Sequence, residues 1–323
     1  MSSRCGYVAL VGRANAGKST LLNAMVGQKV SGVSSKPQTT RNKILGICTL
    51  DDVQLLFLDT PGFHLPKASN RMGGHINREA WSSLSDANLV FYLIDVMEGW
   101  TDEDTKFVSK ILKIGKSPLA ILVSKIDRIK SDMVDRAALL INASMEMMIS
   151  SLASDGVSNR LIYREPIYFS AKRPDDIFNL KQIASRQMPE SEWLYPDDEL
   201  TDRTQSFVCG ELIRESVFRC LGEEIPYCSA VRIDAFEQKA DITVIHASIV
   251  ISKESQKGMV LGKNGVKIKE IGKHARQALE RHLGVKVYLG LNVLVDRNWT
   301  FTDSLIEEYV QLNTSQTETK PFF

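Results

Sequence analysis

Apolar residues fall in short blocks over the first part of the chain: Tyr7–Val11, Ile44–Thr49, Leu55–Asp59, Leu89–Asp95, Leu119–Val123 and Pro166–Ser170. Each block has the length and residue content of a buried strand, and longer amphipathic stretches separate most of them. That alternation is the rhythm of an α/β domain, a mostly parallel six-stranded sheet with helices on both faces. The second and third blocks are parted by little more than Asp51 and Asp52 and predict a hairpin, which adds an antiparallel edge strand. Residues 1–188 are expected to form this domain.

The pattern changes at Pro189. Residues 189–203 (PESEWLYPDDELTDR) hold two prolines and many carboxylates with little periodicity, and read as a linker. Beyond it, Gln205–Leu221 has helical spacing, with Phe207, Leu212, Val217 and Leu221 on or near one face. Val231–Phe236 and Ile242–Ile251 are β-rich, Gln256–Leu261 and Val266–Leu283 are helical, and Val285–Val295 is a last strand. A smaller α+β domain is therefore expected over 204–311, followed by a polar tail over 312–323.

Length supports two domains, since 323 residues exceed what one core usually serves. Lys and Arg (40) nearly cancel Asp and Glu (39), so any nucleic-acid surface has to be a local patch. The five cysteines are scattered, without the paired spacing of a zinc site or a disulfide framework, and suit a reducing cytosol. Tyr7–Val11 is too short for a signal peptide or a membrane span, so a cytoplasmic protein is expected.

Chemistry first appears where the first strand ends. Gly12-Arg13-Ala14-Asn15-Ala16-Gly17-Lys18-Ser19 is a full GxxxxGK(S/T) pattern, and a helix opens near Thr20. Glycines let the backbone curl so that consecutive N–H groups face phosphate oxygens, and the helix N-terminus adds its dipole. Lys18 is placed to reach the β- and γ-phosphates, and Ser19 to hold Mg²⁺. Asp59-Thr60-Pro61-Gly62 ends the third strand; Asp59 suits a water-mediated hold on Mg²⁺, and the Gly62 N–H a γ-phosphate. The polar stretch Ser34–Arg41 between these motifs has the character of a switch loop, with Thr40 favoured over Thr39 as a further Mg²⁺ ligand. Lys18, Thr40 and Gly62 are the candidate catalytic groups.

Base choice is expected further on. Ser124-Lys125-Ile126-Asp127 follows the fifth strand block; a carboxylate at Asp127 accepts from N1–H and the 2-amino group of guanine and leaves adenine without a match. The aliphatic stem of Lys125 covers the base plane. Ser170-Ala171-Lys172 ends the next strand and completes the pocket through backbone N–H groups.

A second chemical feature lies in the C-terminal domain. Lys253–Lys286 holds nine Lys and Arg against three Glu, a net +6. At its centre Gly262-Lys263-Asn264-Gly265 joins two helical stretches, the arrangement of a KH domain, where a GxxG loop passes closely along the nucleotide backbone and a groove takes about four nucleotides. Lys263, Lys267, Lys269 and Lys273 are the candidate phosphate contacts.

Taken in order, these motifs resemble the Era family of GTPases, in the translation-factor-related class. Gln38-Thr39-Thr40-Arg41, Tyr195-Pro196-Asp197, Leu200-Thr201-Asp202-Arg203, Arg214-Glu215, Glu224-Ile225-Pro226-Tyr227 and Gly262-Lys263-Asn264-Gly265 extend the likeness from Tyr7 to Trp299. The resemblance implies GTP and GDP as ligands with Mg²⁺, a type II KH fold, and binding to 16S rRNA near its 3′ end in maturation of the 30S subunit. It further implies a monomer, leaves room for K⁺ near Asn15, and extends to peripheral contact with the inner membrane, which the basic patch permits. Two departures stand out. Ser124 replaces the family's Asn, so a base contact or a tether to the phosphate loop is expected to be lost, and Ala14 and Ala16 replace Pro and Val. Phe63, not Gln, follows Gly62, so intrinsic hydrolysis is expected to be slow. A nucleotide-stabilised RNA scaffold with little turnover and a P-loop ATPase are the rival readings, the latter opposed by Asp127.

Overall fold

The computed structural model describes residues 3–33, 44–60, 84–152, 157–222, 225–226 and 229–299. They divide into two compact units, the described residues up to 30 with those from 44 to 202, and 31–33 with those from 203 to 299.

In the first unit, β1 (Arg4–Gly12), β2 (Ile44–Leu50), β3 (Val53–Asp59), β4 (Leu89–Asp95), β5 (Leu119–Ser124) and β6 (Ile167–Tyr168) form one sheet in the order β2-β3-β1-β4-β5-β6. Only β2 runs antiparallel, as the hairpin pattern predicts. The central strands are apolar at nearly every position because both faces are covered. Ala9 and Val11 of β1 face Phe107, Val108, Ile111 and Leu112 of α2 (Asp102–Ile114) and Met145 and Met148 of α3 (Ser131–Ser151). The opposite face is packed by α1 (Lys18–Val26), where Gly46 leaves room for Leu22 and Val26, and by α4 (Pro174–Arg186). Strand order places the C-terminal ends of β1, β3, β4 and β5 together, the edge at which an open parallel sheet takes its ligands.

The stretch 189–203 does not hang free of this unit. Trp193 and Tyr195 pack on Cys5, Leu45, Ile47, Leu56 and Leu58. The buried Gln54 amide accepts from the N–H groups of Leu194 and Tyr195, both at 3.0 Å, and donates to the Tyr195 carbonyl at 2.8 Å. One strand side chain thus supplies the partners a β-ladder would otherwise give.

The second unit holds α5 (Gln205–Cys220), β7 (Ser229–Gln238), β8 (Ile242–Ile251), α6 (Glu254–Leu261), α7 (Val266–Leu283) and β9 (Lys286–Val295). Sheet order is β7-β8-β9, with β7 antiparallel and β9 parallel to β8. The parallel return requires a crossover, which the two helices α6 and α7 provide. Cys209, Leu212 and Ile213 of α5 close on Ala275 and Leu279 of α7 over Ile245 and Ala247. Thr204 caps α5 by accepting from the Phe207 N–H, and Gly284 ends α7 in the left-handed region. This is the α+β arrangement of a KH domain. No helix among the described residues is long and apolar enough to cross a membrane.

Gln54→Ala removes three hydrogen bonds to the part-buried backbone of 194–195. It is expected to cost the first unit about 2–3 kcal/mol in chemical denaturation; an unchanged midpoint would show that the amide holds nothing in place.

Candidate nucleotide and nucleic-acid sites

At the end of β1 the chain turns at Gly12, with φ 145°. A Cβ there would stand 2.3 Å from the Leu93 carbonyl oxygen, so a side chain cannot be accommodated. Asn15 (φ 62°) and Gly17 (φ 99°) are both left-handed, and Gly17 caps α1. Alternation of this kind turns successive N–H groups to one side as an anion-binding hollow. The first turn of α1 carries no acidic residue, which leaves its positive end available to an external anion. Lys18 is buried and folds back over the loop, donating to the carbonyls of Gly12 (3.0 Å) and Arg13 (2.8 Å). Burial pulls its ammonium down to about 8; the Asp59 charge opposes this and Lys125 adds to it. Thr20, next to Ser19, is exposed.

Side chains fix the loop from outside. Arg13 points away from the hollow, reaching Asp104 (3.1 Å), the Gly99 carbonyl (2.9 Å) and Glu98 (3.1 Å). Asp104 is fully buried, closes the capping box of α2 with Thr101, and accepts from the Tyr92 hydroxyl at 2.8 Å. Burial, together with that carboxylate, pushes the Tyr92 hydroxyl far up, so it serves as a donor only. From β5, the Ser124 hydroxyl donates to the Ala16 carbonyl at 2.7 Å. The tether expected to disappear with the family's Asn is therefore made here by serine, whose short arm suffices because Gly17 lies against it. Lys125, left-handed at φ 63°, donates to the Asn15 carbonyl and pairs with Asp95 at 2.6 Å.

Asp127 sits in a 3₁₀ turn just after Lys125. Its carboxylate accepts from the Ser170 hydroxyl at 2.7 Å and from Lys172 at 2.6 Å. Those hydrogen bonds hold its carboxyl below the usual range against some burial, so it is an acceptor at neutral pH. Ser170 is itself fixed, its N–H donating to Asp176 at 2.8 Å, and its hydroxyl accepts from the Lys172 N–H at 3.2 Å with Ala171 between. The third strand delivers Asp59 buried beside Leu10, and Thr60 donates to the Leu10 carbonyl at 2.8 Å. Thr40, Pro61, Gly62 and Phe63 lie outside the described residues.

Neither Asp95 nor Asp104 drew attention in the sequence. Asp95 ends β4 level with Ser124, and register is the signal that would have found it. Asp104 had a local signal, the Thr101-x-x-Asp104 cap.

In the second unit, Gly262 has φ 70°, and a Cβ there would meet the Lys267 backbone N at 2.9 Å. Asn264 (φ 55°) and Gly265 (φ 74°) are also left-handed, and Gly265 caps α7. The chain thereby makes a tight, side-chain-poor turn directly onto a helix N-terminus. Lys263, Lys269 and Lys273 are exposed, whereas Lys267 pairs with Glu270 at 2.9 Å. Met259 and Val266 stand out into solvent on either side of the turn, an apolar rim on which bases can rest.

Comparison with known proteins adds identity to this geometry. Residues 7–125 match the family model described as 50S ribosome-binding GTPase, and residues 224–300 match that of the KH domain. GTPase Era of Marinobacter nauticus is 38% identical over 307 residues, 94% of each chain. GTPase Era of Pseudomonas aeruginosa is 39% identical over 92% of each. A crystal structure of Era in complex with MgGDPNP and nucleotides 1506–1542 of 16S ribosomal RNA covers 95% of this chain and 98% of its own at 33% identity and TM-score 0.82. Aquifex aeolicus Era bound to GDP·AlF4− matches over the same shares at TM-score 0.81. With the match running the length of both units, the chain belongs to the Era family of GTPases.

Proposed function

We propose that this chain binds GTP and GDP at the Gly12–Ser19 loop, hydrolyses GTP slowly, and uses the nucleotide state to time its hold on 16S rRNA near the 3′ end during small-subunit maturation. The observation that carries this reading is a phosphate loop already shaped and tethered, in a chain that also carries a GxxG turn. The similar Era complex holds both kinds of ligand at once.

Each residue has a task in this reading. Main-chain N–H groups from Arg13 to Ser19 wrap the β-phosphate, and Lys18 exchanges two carbonyls for phosphate oxygens. Asp127, held by Ser170 and Lys172, accepts from guanine, while the stem of Lys125 covers the ring. The Ser19 hydroxyl and the Asp59 carboxylate are hard oxygen donors on adjoining elements, which fits Mg²⁺. When bound, that ion neutralises charge on the β- and γ-phosphates. Thr40 and the Gly62 N–H complete the γ-phosphate contacts, and Phe63 leaves no side-chain amide to orient water. K⁺ near Asn15 is a further element, as is a monomeric, cytoplasmic protein that touches the inner membrane through its basic face. Residues 204–311 form the RNA-binding part, with Gly262, Lys263, Asn264, Gly265, Lys269 and Lys273 along the phosphate backbone and Lys267 joining them once released from Glu270.

Phosphate release measured with and without small ribosomal subunits tests the switch. Slow turnover that changes with subunits supports it; release undetectable in both favours a nucleotide-stabilised scaffold. Crosslinking to RNA in cells should recover fragments from the 3′ end of the small-subunit RNA.

Lys18 makes the nucleotide site pH-dependent. Its pKa is about 8 without ligand, and a polyphosphate raises it, so GDP binding takes up a proton and affinity falls as pH climbs past that value. Calorimetry in buffers of different ionisation enthalpy should show proton uptake that grows as pH rises through about 8. Flat uptake would mean that Lys18 is already fully charged, and Lys18→Ala should remove binding itself. Asp127→Asn is expected to move preference from GTP towards XTP, because the amide donates to the xanthine C2 carbonyl; unchanged preference would place base selection elsewhere.

A further inference from the structure

Three side chains of unlike chemistry converge between α5 and α7 of the second unit. Cys220 is the last residue of α5, and Glu270 and His274 stand one turn apart on α7, so both project from the same face of that helix. The Cys220 sulfur, a Glu270 carboxylate oxygen and a His274 ring nitrogen all lie within 4.8 Å of one another. All three residues are half-buried. The helices that carry them are locked: Val217 and Leu221 share a core with Ile271, and Leu212 and Ile213 share another with Ala275 and Leu279. Cys220 is a thiol, not half of a disulfide.

The geometry points to a transition-metal site of the Zn²⁺ class formed by Cys220, Glu270 and His274. Thiolate, imidazole and carboxylate are the three donor types that Zn²⁺ takes, and three protein ligands leave the fourth tetrahedral position to water. Bond lengths of about 2.0–2.3 Å imply donor–donor edges of roughly 3.3–3.8 Å. The donors are therefore at most about 1.5 Å too far apart, a gap on the scale that side-chain rotation covers. Exposed acidic groups often cluster without a metal, but here one carboxylate meets a sulfur and an imidazole. Mg²⁺ and Ca²⁺, which seek oxygen, are poor occupants for that reason.

Glu270 is prepared for the task. Its hydrogen bond from Lys267 at 2.9 Å engages the Oε2 oxygen and orients the carboxylate. A carboxylate oriented by a neighbouring donor is the usual outer-sphere support of a metal ligand. Lys267 in turn lies beside Gly262, so the site adjoins the GxxG turn. Metal binding crosslinks α5 to α7 next to the proposed RNA surface. The sequence hid this because Cys220 is far along the chain from the Glu270-x-x-x-His274 pair.

Co²⁺ and Zn²⁺ titrations of the full chain test the site, with Mg²⁺ and GDP in excess so that the nucleotide site is occupied. One Co²⁺ per chain should bind, giving a thiolate-to-cobalt charge-transfer band in the near ultraviolet and intense visible bands of four-coordinate Co²⁺, and Zn²⁺ should displace it. Cys220→Ser should abolish the ultraviolet band, and His274→Gln should weaken affinity by more than about 10-fold, the scale on which even outer-sphere partners act. Cys48→Ser should change neither. Should Cys220→Ser fold poorly, Glu270→Gln on the half-exposed face of α7 carries the same expected loss of affinity. No band in the parent protein, a band that survives Cys220→Ser, or an affinity indifferent to both Glu270→Gln and His274→Gln overturns the assignment.

Discussion

A loop that turns its backbone amides toward an anion makes few bonds within itself, here from Lys18 to the Gly12 and Arg13 carbonyls and from the Ala16 N–H to Arg13, so groups outside it have to help hold its shape. In this chain the work falls to side chains at the ends of neighbouring strands and helices. Arg13 is drawn outward to Asp104, Ala16 is held by the Ser124 hydroxyl, and Asn15 is held by Lys125, which leans on Asp95. The left-handed turn at Asn15 costs conformational energy that these contacts offset. Ser124 and Lys125 come from the end of β5, Asp95 from the end of β4 and Asp104 from α2, so the loop's form depends on the register of β1, β4 and β5 and on the seat of α2.

In the proposed nucleotide site the same anchors join the phosphate loop to the segment assigned to the base. Lys125 and Asp127 are two residues apart, and Ser124 precedes them, so one short segment touches the phosphate loop at one end and Ser170 and Lys172 at the other. A nucleotide spanning the two ends meets groups whose positions are already set, which lowers the ordering cost of binding. Ser124 makes this tie through its hydroxyl, which reaches the Ala16 carbonyl with Gly17 lying against it.

Much of this was legible in the sequence. The strand blocks, the β2–β3 hairpin and the helices of the second unit appear where periodicity placed them, because strands buried on both faces leave long apolar runs and α7 keeps a strict apolar face. The glycine motifs stand out in the sequence because a side chain at Gly12 or Gly262 would collide with neighbouring backbone. What escaped were partnerships made by tertiary register: Asp95 with Lys125, Asp104 with Arg13, and Gln54 with the 194–195 backbone. The 189–203 stretch looked like a linker because its carboxylates and prolines mask Trp193 and Tyr195, two aromatics that pack on the sheet. Cys220, Glu270 and His274 escaped for a similar reason, since no spacing rule joins a helix end to the middle of another helix.

The tethered loop is the claim on which the rest stands, and Ser124 is the anchor that tests it with least disturbance. Equilibrium binding of GDP to nucleotide-stripped Ser124→Ala, compared with the parent chain, reads it directly. Loss of one hydrogen bond to the Ala16 carbonyl should weaken binding by about 1–2 kcal/mol, roughly 5- to 30-fold. Equal affinity in the two proteins would show that the nucleotide shapes the loop on arrival, contrary to this account.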